Sequence, residues 1–203
     1  MSRTIRVLIL AATLAGVFAV APAGAHAAFK FGSKLATDVQ PSNANTAHPC
    51  DEDAPGTRCT WVMNEAYGRP NGGHRAPRAG TIRKIRLIAG ASGSFRLMIV
   101  KVRRTSSGVF QARAIRRGPM ISYGGQPDDK EPYRVETFTV NVPVKKGQRL
   151  AINAARTSTL RCSSGGANTL LFDPPLRFGR AFRRASDDDG CWLLLEAVVR
   201  PAG

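Results

Sequence analysis

The chain has 203 residues, and 30 Lys and Arg residues against 14 Asp and Glu give it a formal net charge of +16. This length fits one domain with a sizeable core. The charge favours polyanions or anionic lipid surfaces as partners. After residue 27 no apolar run approaches the roughly 20 residues that cross a bilayer, so the sequence excludes stable membrane insertion.

Residues 1–27 have the pattern of a cleaved signal peptide. Arg3 and Arg6 precede a 14-residue apolar stretch, and Ala25-His26-Ala27 offers small side chains where signal peptidase reads. We predict cleavage after this tripeptide and a secreted protein; the alternative is an uncleaved membrane anchor, for which the apolar stretch is short. Removal of both arginines lowers the charge to +14. Outside the cell, a glycan or anionic polymer is a more available partner than nucleic acid.

Four cysteines lie beyond the predicted cleavage point, at Cys50, Cys59, Cys162 and Cys191. An even number in an oxidising compartment predicts two disulfides. We favour Cys50–Cys59, across a Pro-Gly turn, and Cys162–Cys191, between a late loop and the last strand. Each could contribute on the order of 3 kcal/mol. The alternative is a metal site that includes His48, Cys50 and Cys59, although zinc sites usually have closely spaced Cys pairs.

The remaining chain reads as short strands between turn residues. Residues 28–80 hold N-terminal strands and a long disulfide-bearing loop, and residues 81–203 form the main part of the same domain. The predicted strands are 29–35, 60–67, 81–89, 94–103, 109–116, 134–144, 149–154, 157–163, 168–173 and 191–200. Loops rich in Gly, Pro or Asp are predicted at 37–58, 68–80, 117–132 and 174–190.

The clearest strands alternate apolar and polar residues with a period of two, which is typical of half-buried strands. We expect strands 81–89 and 94–103 to form a hairpin, with the second strand central because both its faces are apolar. Strands 134–144 and 149–154 should form another hairpin across the turn 145–148. About ten antiparallel strands without helices predict an all-β fold, a single β-sandwich or jelly roll.

Three segments carry a resemblance to known proteins: GTIRKIRLIAG at 80–90, TFTVNVPVKKGQRLAIN at 137–153 and CWLLLEAVV at 191–199. They are similar to a group of secreted actinobacterial β-sandwich proteins of unknown function. The similarity covers most of residues 80–199, and its motifs are structural. More distantly, the pattern resembles jelly-roll domains that bind carbohydrate, an analogy of fold only.

No motif predicts catalysis or a cofactor. The segment 90–94 fails the G-x-S-x-G pattern of serine hydrolases, and only His48 and His74 remain as imidazole bases, both in loops. Glycosidases need two neighbouring carboxylates, whereas Glu65, Glu136 and Glu196 lie in different predicted strands. We therefore predict that the protein is not an enzyme.

An acidic run precedes the last predicted strand, at Asp187, Asp188 and Asp189. Calcium favours several oxygen ligands from such loops. A solvated Asp-Gly turn explains the same residues, and we predict no metal site.

Aromatic and basic side chains near the loops are the candidate ligand contacts, because sugar rings stack on aromatic faces. A basic run at 177–184 could also meet an anionic polymer, or it could be a solvated face. Trp61 and Trp192 are predicted core residues. The predicted ligand-binding residues are Tyr67, Tyr123, Tyr133, Arg134, Arg180 and Arg183.

These features favour a secreted, non-catalytic binding module for envelope or extracellular glycans or polyanions. One alternative is a surface or assembly protein that contacts other proteins through an exposed strand edge. A further alternative is a glycan hydrolase with a dispersed carboxylate site. The oligomeric state is left open.

Overall fold

The computed structural model describes residues 27–35, 44–47, 58–69, 73–127, 132–155, 157–158 and 160–202. Their regular structure is entirely β, which confirms the predicted fold class. No helix of these residues is long and apolar enough to span a bilayer. The strands are β1 (Phe29–Gly32), β2 (Ala44–Ala47), β3 (Arg58–Met63), β4 (Gly80–Leu87), β5 (Gly93–Arg104), β6 (Phe110–Tyr123), β7 (Glu136–Val144), β8 (Arg149–Ala155), β9 (Leu160–Phe172), β10 (Arg183–Arg184), β11 (Asp187–Leu193) and β12 (Leu195–Pro201).

The strands form two antiparallel sheets. The small sheet has the order β1-β12-β4-β7, and the large sheet has the order β10-β6-β5-β8-β3-β9-β11, with β2 also paired to β9. One apolar core lies between them and draws residues from both, such as Ile85 of β4 and Leu97 of β5. The prediction of a β-sandwich is therefore confirmed, while a jelly-roll strand order stays a prediction.

Strand β5 shows how the alternating pattern produces this core. Its odd-numbered residues Phe95, Leu97 and Ile99 face the small sheet, and Met98 and Val100 are buried on the opposite side of the large sheet. β5 lies between β6 and β8, so the prediction that it is central is confirmed. Burial of each large side chain contributes about 1.5–3 kcal/mol.

Both predicted hairpins are wrong in their pairing. β4 pairs with β12 and β7 in the small sheet, whereas β5 belongs to the large sheet. β7 and β8 are likewise in different sheets. Two consecutive strands with apolar faces can bury those faces by facing each other across a sandwich, and the connections 88–92 and 145–148 therefore pass from one sheet to the other.

Several predicted loops contain strands. β6 continues to Tyr123 through Gly118 and Pro119, where a register shift against β5 marks a bulge. Proline is tolerated there because β10 pairs with β6 only at residues 111–112 and leaves this part of β6 at the sheet edge.

The two predicted strands at 157–173 are one strand, β9, and the predicted last strand is divided between β11 and β12.

The predicted Cys162–Cys191 disulfide is confirmed, and it joins the paired strands β9 and β11. Cys59 is also disulfide-bonded. Its predicted partner Cys50, the signal segment 1–26 and His48 lie outside the described residues.

Residues 173–186, here called the covering segment, lead from β9 across the outer face of the large sheet to β10 at its edge and then to β11. Leu176 packs on that face with Met98 and Phe172, and its backbone N–H donates to the Thr60 hydroxyl over 3.0 Å. The Phe182 ring lies 4.3 Å from the guanidinium carbon of Arg103 and 4.9 Å from that of Arg113. These contacts hold the covering segment against the sheet.

Candidate anion-binding groove

A groove of about 730 Å³ lies beside the covering segment on the outer face of the large sheet. Its polar wall consists of arginines from β3, β5, β6 and the covering segment, together with one asparagine from β8. These residues are Arg58, Arg96, Arg117, Arg177 and Asn153.

The strand register brings these side chains together. Arg96 lies opposite Asn153 of β8 on one side and opposite Met120 of β6 on the other. Adjacent strands are about 4.8 Å apart, so these positions form one row across the sheet. The bulge at Gly118 and Pro119 breaks the alternation of β6, and Arg117 and Met120 therefore both line the groove.

Two of the groove arginines, Arg58 and Arg96, are held by neutral acceptors. The Arg58 Nε donates to Asn153 Oδ1 over 2.7 Å, and its Nη2 donates to the Asn153 carbonyl over 2.8 Å. The Arg96 Nη1 donates to the Gly118 carbonyl over 3.1 Å. These bonds fix the guanidinium groups and leave their positive charge in place.

No described carboxylate neutralises this cluster. Every ion pair between described residues involves Glu136 or Glu196, which do not line the groove. The pKa of Arg96 is lowered first by desolvation and then by the charges of Arg117 and Arg58. The arginines therefore repel each other, and a bound anion would relieve that repulsion.

Two apolar side chains at the groove are open to solvent. Phe178 is 60% exposed and Met120 is 43% exposed, which makes them the exposed large hydrophobic residues of the described chain. The Phe178 backbone forms an isolated bridge with Ala114 of β6. An exposed ring among guanidinium groups suits a ligand that has both an apolar face and a negative charge.

A tight turn at residues 177–180 presents this ring. The Arg180 N–H donates to the Arg177 carbonyl over 3.4 Å, and Gly179 has φ of 76°. Glycine at the third position of such a turn adopts positive φ without steric cost. Arg177 and Arg180 are both exposed and flank Phe178 in the sequence.

Of the predicted ligand-binding residues, Arg180 and Arg183 lie close to the groove. They line a second hollow of about 400 Å³ on the covering segment. The Arg183 guanidinium faces the Phe172 ring at 5.6 Å and donates to the Pro174 carbonyl. Burial lowers its pKa, and the charge of Asp173 opposes this shift.

The predicted tyrosines and Arg134 do not line the groove. Tyr123 is buried in the sandwich core, and Tyr133 is buried with the Arg161 guanidinium 4.5 Å over its ring. These two rings therefore cannot serve as sugar-stacking surfaces, because the interior already covers them. Tyr67 is half-buried with its ring 5.9 Å from that of Trp192. Arg134 is exposed and lies 3.8 Å from Glu136.

Sequence reasoning missed Arg58, Arg96, Arg117 and Phe178 as site residues. One signal was present at Arg96, which alternates with Met98 and Val100 on a strand face that is otherwise apolar. The other residues come together only through strand order and the path of the covering segment.

The candidate catalytic acids do not form a pair. Glu136 lies on the same side of β7 as the core residues Val140 and Val142, and the N–H groups of Gly124 and Gly125 donate to its carboxylate. Glu196 lies on the opposite side of the small sheet from the core, because its neighbours Leu195 and Ala197 face the core. Glu65 is exposed.

The carboxylate of Glu196 is instead surrounded by cations. Its side chain is 1% exposed, and its oxygens lie 2.8 Å from Arg69 Nη2, 2.5 Å from Arg86 Nη1 and 3.4 Å from Lys30 Nζ. Glu196 therefore lies neither at a sheet edge nor in solvent, because β12 is between β1 and β4. This ion cluster joins β1, β4, β12 and the segment after β3.

His74 is half-buried although it lies in a loop. Its Nε2 accepts a hydrogen bond from Arg75 Nε over 3.0 Å. Desolvation, Arg149 and Arg75 together lower its pKa from 6.5 to about 4. The neutral imidazole is thus the form that the folded state favours.

This lowered pKa predicts a loss of stability in acid. Between pH 6.5 and about 4 the unfolded chain binds more protons at His74 than the folded chain does, so the free energy of unfolding rises with pH. The His74 contribution is complete above pH 6.5 and is lost as the pH approaches 4. We expect His74→Asn to flatten this slope, measured by urea unfolding at about pH 7, 5.5 and 4.5. Equal slopes for both proteins would contradict the assignment.

The acidic run lies in β11 and not in a loop. β11 is at the edge of the large sheet, paired with β9, and Asp187, Asp188 and Asp189 are all exposed. Partial desolvation by neighbouring residues and, after it, the charge of Asp187 raise the pKa of Asp189. Within the described ranges no three His, Cys, Asp or Glu side chains are grouped so as to hold a metal ion.

No protein-family model, curated protein or solved structure matches the chain. The class that the fold and the site define is a two-sheet β-sandwich with an arginine-lined groove on its larger sheet.

Proposed function

We propose that the protein is a secreted binding module for a glycan that bears carboxylate or phosphate groups, and that the arginine-lined groove is its binding site. The observation that carries this proposal is the convergence of Arg58, Arg96, Arg117 and Arg177 without a described carboxylate among them. Repulsion among unpaired like charges lowers the stability of the fold, and an anionic ligand in the groove would offset this repulsion.

The residue types fit an oxyanion attached to a sugar. The planar guanidinium group donates two parallel hydrogen bonds to a carboxylate or a phosphate. Arg58 and Arg96 each use only part of their donor set on protein acceptors. The exposed ring of Phe178 offers apolar area for the face of a sugar, as aromatic side chains do at many binding sites.

The predicted export supports the class of ligand. A protein of this charge outside the cell meets wall polymers and matrix glycans that carry uronic acids or phosphodiesters. The long-range field of the net charge would concentrate such polymers near the surface, and the groove would then select among them.

Retention on immobilised polymers tests the proposal. We expect the protein to bind polygalacturonate or poly(glycerol phosphate) at about 0.01 M salt and to elute near 1 M, where the Debye length falls to about 3 Å. Neutral dextran should not retain it. The two anionic columns distinguish carboxylate from phosphate recognition.

A matched pair of double variants separates the groove from net charge. Arg96→Gln/Arg117→Gln should abolish retention, whereas Lys84→Gln/Arg200→Gln removes the same charge from exposed positions of the small sheet and should shorten retention only slightly. Phe178→Ala should weaken binding without changing its salt dependence. Equal losses in both double variants, or no retention of the wild type on either anionic column, would reject the groove as the site.

A further inference from the structure

The second hollow lies on the other side of the same tight turn. It is lined by Arg177, Arg180 and Arg183 over a floor that includes Pro174 and Leu176. It shares Arg177, Leu176 and Pro175 with the groove, so the two depressions adjoin each other along the covering segment.

The boundary between the two depressions is exposed and positively charged. Arg177 lines both of them, and it is exposed together with Phe178 and Arg180. A ligand that leaves the groove over this turn therefore meets two guanidinium groups and the exposed Phe178 ring, and the turn itself contains no carboxylate. The bridge of Phe178 to Ala114 holds the turn on the sheet.

The second hollow is more weakly charged than the groove. Arg183 is half-buried and faces Phe172, and Asp173 beside it offsets part of its charge. The Arg180 side chain forms no ion pair with a described carboxylate. Arg180 is thus the main cation that this hollow adds for a ligand already bound in the groove.

We propose that the groove and the second hollow are successive subsites for one linear polyanion that lies across the turn at 177–180. This inference rests on the proposed function and specifies it: the ligand is an internal stretch of an acidic chain and not a single charged sugar or a chain end. Both depressions are open along the covering segment, and the groove alone has the volume of an ordinary small-ligand pocket.

Chain length should therefore control affinity. Once one unit occupies the groove, the next units reach the second hollow intramolecularly, and their high effective concentration adds affinity without a new encounter. A dimer that fills only the groove cannot gain this increment.

Calorimetric titration with a dimer and an octamer of galacturonate, or of glycerol phosphate if that column retains the protein, tests the inference. We expect the octamer to bind at least about tenfold more tightly than the dimer. Arg180→Glu should remove most of that difference and leave the dimer affinity within about twofold. The control Arg200→Glu makes the same charge change at an exposed position of β12 and should preserve the difference.

The possible failures are distinguishable. An octamer can bind the groove in more registers than a dimer, which raises its affinity statistically even without a second subsite. This statistical gain does not depend on residue 180 and persists in Arg180→Glu. Only a loss of the affinity difference between octamer and dimer in Arg180→Glu therefore supports the second subsite. Equal dimer and octamer affinities in the wild type, or an increment that survives Arg180→Glu, would overturn the inference and leave the proposed function standing. Absence of binding by both oligomers would overturn the proposed function itself.

Discussion

Glu196→Gln is expected to lower the free energy of unfolding by about 3 kcal/mol, because it removes the anion from a buried cluster of cations. The Glu196 side chain is 1% exposed, and its oxygens face Arg69, Arg86 and Lys30 within 3.4 Å. Glutamine keeps the shape but leaves the half-buried Arg69 and Arg86 guanidinium groups without a counter-charge. Because Lys30 and Arg69 are partly exposed, the expected loss is at the lower end of the roughly 3–5 kcal/mol that removal of one partner from a buried ion pair costs.

Urea unfolding at neutral pH measures this effect, and Glu65→Gln provides the control. Glu65 is exposed, so its substitution should change the free energy of unfolding by no more than about 0.5 kcal/mol. Glu196→Gln should also retain binding to the anionic column while it is folded, because Glu196 does not line the groove. A Glu196→Gln protein as stable as the Glu65→Gln protein would show that the three cations do not need the carboxylate.

The sequence allowed the strands to be predicted because local alternation is a property of a few consecutive residues. β5 and β7 lie close to their expected positions, and β5 is central as its two apolar faces implied. Strand pairing is different, because an apolar face does not specify its partner. β4 and β5 were expected to pair side by side, and they lie in different sheets.

The site could be predicted only in part, for the same physical reason. Arg180 and Arg183 belong to a local basic run, and both lie beside the groove. Arg58 and Arg96 are far apart in sequence and meet because β8 lies between β3 and β5. Tyr123 lies in the predicted loop 117–132 and Tyr133 follows it, but residues distant in sequence bury both. Composition indicates how many aromatic residues exist and not which ones remain at the surface.

Charged side chains are held in two different ways in this protein. Around Glu196, cations from several strands share one carboxylate, which suits a structural role. In the groove, Arg58 and Arg96 are fixed by the neutral oxygens of Asn153 and Gly118, which hold a guanidinium group without cancelling its charge. Removal of the Glu196 charge should lower the free energy of unfolding, whereas removal of one arginine charge from the groove should raise it.

Arg96→Glu is therefore expected to raise stability and abolish ligand binding together. The new carboxylate would lie near Arg58 and Arg117, whose charges already lower the pKa of Arg96. Repulsion becomes attraction, and we expect this to outweigh the lost bond to the Gly118 carbonyl and to stabilise the fold by about 0.5 kcal/mol at this partly solvated position. The same carboxylate repels an anionic ligand and binds the guanidinium groups of Arg58 and Arg117 that would otherwise contact the ligand. The affinity for the retained polymer should therefore fall by at least about 100-fold.

Lys101→Glu is the matched control, since it reverses one charge at an exposed position of the same strand. It should change neither the urea midpoint nor the affinity by more than a small amount. The opposite direction of the two effects at Arg96 is the informative result, because a residue that only supports the fold would lose stability and binding together. An Arg96→Glu protein that is less stable than Lys101→Glu, or that still binds the polymer as tightly, would show that the arginine cluster is a structural feature and not a ligand site.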